Sequence, residues 1–114
     1  MANGRLLVVA PENDLRRSLV FALGAEGYAV TVLDAPPPLQ WLADNRFDCT
    51  VLDQHALTGA REDDIAFCTR AQRVVLLASR VHPWLVEWVT EIVELPPAGE
   101  ALSAAIGRAL DIAA

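Results

Sequence analysis

Cys49-Thr50-Val51-Leu52-Asp53 is a run with one polar interruption, Thr50, that ends in a carboxylate. Alternating polarity marks a strand with one wet face. A continuous apolar run of this length marks a strand buried on both faces of a parallel sheet. In open α/β sheets the ligand side lies outside the carboxyl ends of such strands. The run therefore predicts a central strand that delivers Asp53 to the functional rim.

Working outward, residues 5–9 (Arg5-Leu6-Leu7-Val8-Val9) and 73–78 (Arg73-Val74-Val75-Leu76-Leu77-Ala78) are apolar runs of the same kind. Residues 29–33 are rich in β-branched side chains and predict another strand. Residues 91–95 (Glu91-Ile92-Val93-Glu94-Leu95) alternate, as expected near an edge. Between these runs lie helical patterns. Asn13 or Asp14 can cap the first, in which Leu15, Leu19, Ala22 and Leu23 recur on one side and Arg16 and Arg17 face solvent. Pro36-Pro37-Pro38 opens a second, with Leu39, Leu42 and Ala43 as its buried side. A third covers 60–70, with Glu62, Asp63 and Asp64 complementing the dipole of its first turn. A short fourth helix opens at Pro83, and a last one runs 98–112 with Leu102, Ile106, Ala109 and Leu110 inward.

Strand and helix alternate five times, and parallel strands need crossovers. The predicted fold is a three-layer doubly wound α/β domain spanning 1–114. Its five-stranded parallel sheet has the order 2-1-3-4-5, and its fourth helix is shortened. Residues 9–11 and Asp53 then line one crevice.

Composition narrows the function. The chain is 54% hydrophobic and 21% charged, with a net charge of −6. A phosphate-tracking surface needs a basic stripe, so direct nucleic-acid binding is not expected. No apolar run is long enough to cross a bilayer and residues 1–5 do not resemble a secretory leader, so a cytoplasmic location without membrane contact is expected. All nine basic residues are arginine. Cys49 and Cys68 have neither zinc nor redox spacing and read as buried thiols. His55 and His82 have no partners in the sequence and read as solvated loop residues rather than relays or ligands.

The order of these motifs resembles the receiver domains of bacterial two-component response regulators (CheY-like) over essentially the whole chain. The resemblance rests on 5–9 with Asp14-Leu15-Arg16-Arg17-Ser18-Leu19, on Glu26-Gly27-Tyr28-Ala29-Val30, on Phe47-Asp48-Cys49-Thr50-Val51-Leu52-Asp53, and on Pro96 with Glu100 and Leu102. It implies that Asp53 is the position of a phosphoacceptor serviced by a histidine kinase. It also implies magnesium on two acids after strand one, a hydroxyl after strand four and a lysine after strand five. Phosphoryl transfer depends mainly on positioning and charge neutralisation. Here the acid pair reads Ala10 and Pro11, the hydroxyl position reads Ala78 with Ser79 next to it, and the lysine position reads Leu95. Glu12 and Asp53 are the remaining candidate metal ligands. Arg80 is a poor stand-in for an ammonium.

The expectation is a pseudo-receiver: not an enzyme, without a cofactor, acting through protein–protein contact. Asp53 then caps the next turn by an Asx-type hydrogen bond. Trp84 and Trp88, with Val81 and Leu85, are the expected interaction surface, because aromatic residues concentrate in interface hot spots. The partner is another protein or a second copy, docked on the helix 4–strand 5–helix 5 face as a homodimer. Trp41 is expected to cover the core edge. The alternative is a working phosphoacceptor Asp53 with a weakened magnesium site. A nucleotide- or flavin-binding domain would need a phosphate loop, and Ala10-Pro11-Glu12-Asn13 is not one.

Overall fold

The structure, a computed structural model, describes residues 4–111. Strands and helices follow one another as β1 (Arg5–Val9), α1 (Asn13–Ala25), β2 (Ala29–Leu33), α2 (Leu39–Asp44), β3 (Cys49–Asp53), α3 (Arg61–Ala71), β4 (Val74–Leu77), β5 (Glu91–Val93) and α4 (Gly99–Asp111). Two 3₁₀ segments interrupt the loops, η1 (Gln54–Ala56) and η2 (Pro83–Trp88). All four strand pairings are parallel, in the order β2-β1-β3-β4-β5. The expected doubly wound architecture is therefore the observed one.

The side-chain period of two divides each central strand between two cores. Leu6 and Val8 of β1, Cys49 and Val51 of β3, and Val75 and Leu77 of β4 pack with Leu19, Leu23, Leu102 and Ile106 of α1 and α4. Leu7, Val9, Leu52, Val74 and Leu76 pack on the other face with Leu42, Phe67, Cys68 and Leu85. Each fully buried Leu or Val contributes about 1.5–3 kcal/mol, so the two faces hold the sheet between them. Asp53 has the parity of Cys49 and Val51. Its side chain therefore belongs to the α1–α4 side.

Several local expectations are corrected. Neither Asn13 nor Asp14 caps α1; the N-cap position is Glu12, and its side chain makes no capping bond. Arg16 does not face solvent freely: its guanidinium donates to the carbonyls of Ala10 and Pro11 at 2.9 and 3.1 Å and to Asn13 Oδ1 at 3.0 Å. Ala22, Leu39 and Ala43 are exposed, so α2 buries Leu42 alone. That helix is six residues long and turns too little surface inward for more. Asp64 lies in the first turn of α3 as expected, and it is buried. Strand β5 stops at Val93, short of Leu95. The expected end of the last helix, Ile112, lies outside the described residues. Trp41 covers the core edge as expected, stacked on Phe47 with ring centroids 5.8 Å apart.

Candidate functional site

The carboxyl ends of four strands meet in a cleft of about 640 Å³. After β1 the chain contributes Pro11, Glu12 and Leu15; β3 and η1 contribute Asp53 and His55. Ser79 follows β4, and Leu95, Pro96 and Pro97 follow β5. The location is the one that the strand order dictates, beside the point between β1 and β3 where the order of successive strands reverses.

Asp53 is 3% exposed. Its Oδ1 accepts the backbone N–H of His55 at 2.9 Å, the Asx-type turn expected from the sequence. The same oxygen lies 3.0 Å from His55 Nδ1. A carboxylate only accepts, so the ring donates through Nδ1–H in this contact. His55 was expected to be a solvated residue without partners. It is 72% exposed, but Asp53 is its partner, and the i, i+2 spacing on a tight turn makes the contact. The ring is open to water although the carboxylate is buried, so solvent screens the contact from the histidine side.

The next residue fixes the loop. Gln54 donates from Nε2 to the Arg80 carbonyl at 2.9 Å and accepts the His82 N–H on Oε1 at 2.9 Å. Sequence reading missed this residue, because a lone glutamine carries no spacing signal. Ala78 is buried in the core, while Ser79 lines the cleft and its hydroxyl donates to the Leu95 carbonyl at 3.4 Å. The hydroxyl thus reaches the cleft one residue later than the resemblance places it. Arg80 does not line the cleft, and no arginine does.

The implied magnesium can be tested against these donors. Ala10 and Pro11 offer no side-chain oxygen, and both their carbonyls are engaged by Arg16. One oxygen of Asp53 is committed twice, to the N–H and to the ring of His55. Glu12 is the remaining carboxylate of the cleft. Among the described residues no group of three His, Cys, Asp or Glu side chains is placed to hold a metal. Magnesium demands near-octahedral oxygen coordination, and this donor set does not fit it.

The expected interaction surface is corrected in part. Leu85 is completely buried and Val81 packs against the same core. Trp84 is half-buried there, stacked on His82 with centroids 4.6 Å apart. The reason is the 3₁₀ geometry of η2, whose period of three turns a different set of side chains outward than an α-helix would. Trp88 remains on the surface at 40% exposure, joined by Val86 and Ile92. Arg108 of α4 reaches Glu91 of β5 beside them, at 2.9 and 3.0 Å.

Comparison with known proteins returns the fold. No protein-family model and no curated protein matches the chain. Solved structures do match. The chemotaxis response regulator CheY4 of Vibrio cholerae superposes with a TM-score of 0.75 at 20% identity, over 96% of this chain and 99% of that one. A response regulator receiver domain protein from Clostridium thermocellum gives 0.75 at 20% identity, over 99% and 97%. The N-terminal domain of a response regulator/sensory box/GGDEF three-domain protein from Carboxydothermus hydrogenoformans gives 0.77 at 17% identity, over 96% and 95%. The chain shares the receiver-domain fold along nearly its full length.

Proposed function

We propose that this chain is a receiver-fold interaction module of two-component signalling whose output does not depend on a phosphoryl group at Asp53. One observation carries the reading. The cleft that would perform phosphoryl transfer is walled by Pro11, Leu15, Leu95, Pro96 and Pro97, holds two carboxylates and has no lysine or arginine. Charge developing on a transferred phosphoryl group would meet Glu12 and Asp53 with no lysine or arginine in the cleft lining to offset it. The module binds rather than catalyses and needs no cofactor.

Its contact surface is the β5 edge, where Val86, Trp88 and Ile92 are exposed within one short segment. An exposed tryptophan among aliphatic neighbours, flanked by the Arg108–Glu91 ion pair, has the composition of an interface centre with a polar rim. The partner is a second copy or another protein of the signalling system.

The second reading keeps Asp53 as a phosphoacceptor. Its support is that Asp53, Glu12 and Ser79 do line one cleft. Incubation with magnesium and a small acyl phosphate, followed by intact-mass analysis, separates the two. We expect no added phosphoryl group, and a solution mass that depends on protein concentration but not on the phosphodonor. A phosphoryl adduct that disappears in Asp53→Asn would replace the first reading with the second.

A further inference from the structure

At the amino ends of the strands, on the rim opposite the cleft, two pockets of about 300 and 350 Å³ adjoin and share Arg46, Phe47, Ala71 and Gln72. Arg70 lines the first, and Arg5 and Arg73 line the second. Four of the nine basic residues of a chain with net charge −6 thus surround one groove. We propose that this groove binds a small diphosphate anion, held by these four guanidinium groups.

The arginines lack counter-charges of their own. Neither ion pair among the described residues includes any of them. Asp48 is the one carboxylate of the lining, and its Oδ2 accepts the Arg5 backbone N–H at 2.7 Å. The negative end of the α3 dipole offsets part of the charge of Arg70, but Arg5 and Arg46 lie elsewhere in the chain. Like charges gathered without a partner repel, and an anion among them relieves that cost. Part of the set is also held in place without a ligand. Arg5 lies over the Phe47 ring, 5.1 Å from its centroid, and that ring is stacked on Trp41. Arg73 is half-buried, with Nη1 3.5 Å from the Asp48 carbonyl. Only Gln72 and Arg73 separate α3 from β4. Gln72 makes that tight turn at φ 69°, a conformation costly to a residue with a side chain, and the turn keeps Arg70 and Arg73 on one rim.

Charge and shape narrow the ligand. A guanidinium fork sets two N–H groups against two oxygens, so several forks suit an anion rich in oxygens. Two lobes of similar size that share Arg46 suit two linked phosphoryl groups better than one carboxylate. Phe47 is already engaged by Trp41 and Arg5, so the lining favours the phosphate chain over an aromatic base. Asp53 lies on the opposite rim and takes no part.

The test is titration of the full chain with pyrophosphate in magnesium-free buffer, read by calorimetry and by backbone amide NMR. Saturable shifts are expected at residues 45–48 and 70–73. The Arg46→Gln, Arg70→Gln double variant should weaken binding by about tenfold or more, the scale of losing charged hydrogen bonds to an anion. Both side chains are exposed, so their replacement leaves the fold intact. Arg80→Gln, outside both pockets, should bind like the parent. ADP distinguishes the source: binding equal to that of pyrophosphate points to the free inorganic ion, and tighter binding points to an organic diphosphate. The proposal is overturned if sulfate binds as tightly as pyrophosphate, which would mean an adventitious ion only. It is overturned equally if the double variant binds like the parent, if Arg80→Gln weakens binding as much as the double variant, or if no saturable binding appears.

Discussion

At the scale of single residues, the side chain next to Asp53 does more to organise the rim than Asp53 itself. Gln54 uses both ends of its carboxamide on one segment, the Arg80 carbonyl and the His82 N–H. Each such bond contributes about 0.5–1.5 kcal/mol. Gln54→Ala should therefore lower stability by about 1–3 kcal/mol, read as a shift in urea midpoint at unchanged slope. Gln54→Glu keeps the acceptor and loses the donor, so it should fall between the two. Asp53 was legible as a strand-end acid because everything before it in the run had to be apolar. Its pairing with His55 was not, because whether a loop histidine meets its neighbour depends on turn geometry that a sequence leaves open.

At the scale of elements, η2 separates a buried role from a surface one within four residues. Leu85 is completely buried while Trp88 is 40% exposed. Leu85→Ala should cost about 2–5 kcal/mol through the cavity it leaves. Trp88→Ala should change monomer stability by about 0.5 kcal/mol or less. The same substitution should reduce concentration-dependent association or partner binding, measured by sedimentation. A Trp88→Ala variant that associates like the parent would remove this face from the proposed function. The helical period of 3.6 assigns Trp84 and Trp88 to one side, and the observed 3₁₀ turn divides them. Strands fared better for a physical reason. A strand buried on both faces leaves no freedom in its pattern, whereas a six-residue helix such as α2 is anchored by one leucine, and its other apolar residues can face out.

At the scale of the whole molecule, the two cores set how stability responds to pH. Burial pushes the thiols of Cys49 and Cys68 up to about 12 from an ordinary 9.0. Above pH 9 the unfolded chain releases these protons and the folded chain holds them, so the folded state binds more protons. Stability is then full below about pH 9 and falls as pH rises toward about 12. Tyr28 acts in the same sense, raised by burial and then by the Glu26 carboxylate. Urea midpoints at about pH 8 and about pH 10 should show the drop, and it should be shallower in the Cys49→Ala, Cys68→Ala double variant. A double variant with the parent's slope would show that the thiols are not its source. The sheet order was legible in advance because alternation of strands and helices permits few topologies; the burial of Asp64 was not, because three successive acids at a helix start match the helix dipole whichever of them turns inward.

Because all four pairings in the sheet are parallel, no two strands among the described residues meet through a hairpin. Each contact between strands waits for a crossover to bring distant residues together, and the chain entropy of closing those loops must be met before the contacts return it. β1 sits between β2 and β3, so a chain that has lost residues 5–9 has no edge on which β2 can form and no cover for one side of β3. The native sheet therefore depends on β1, at the opposite end of the sequence from the helix that packs on its core.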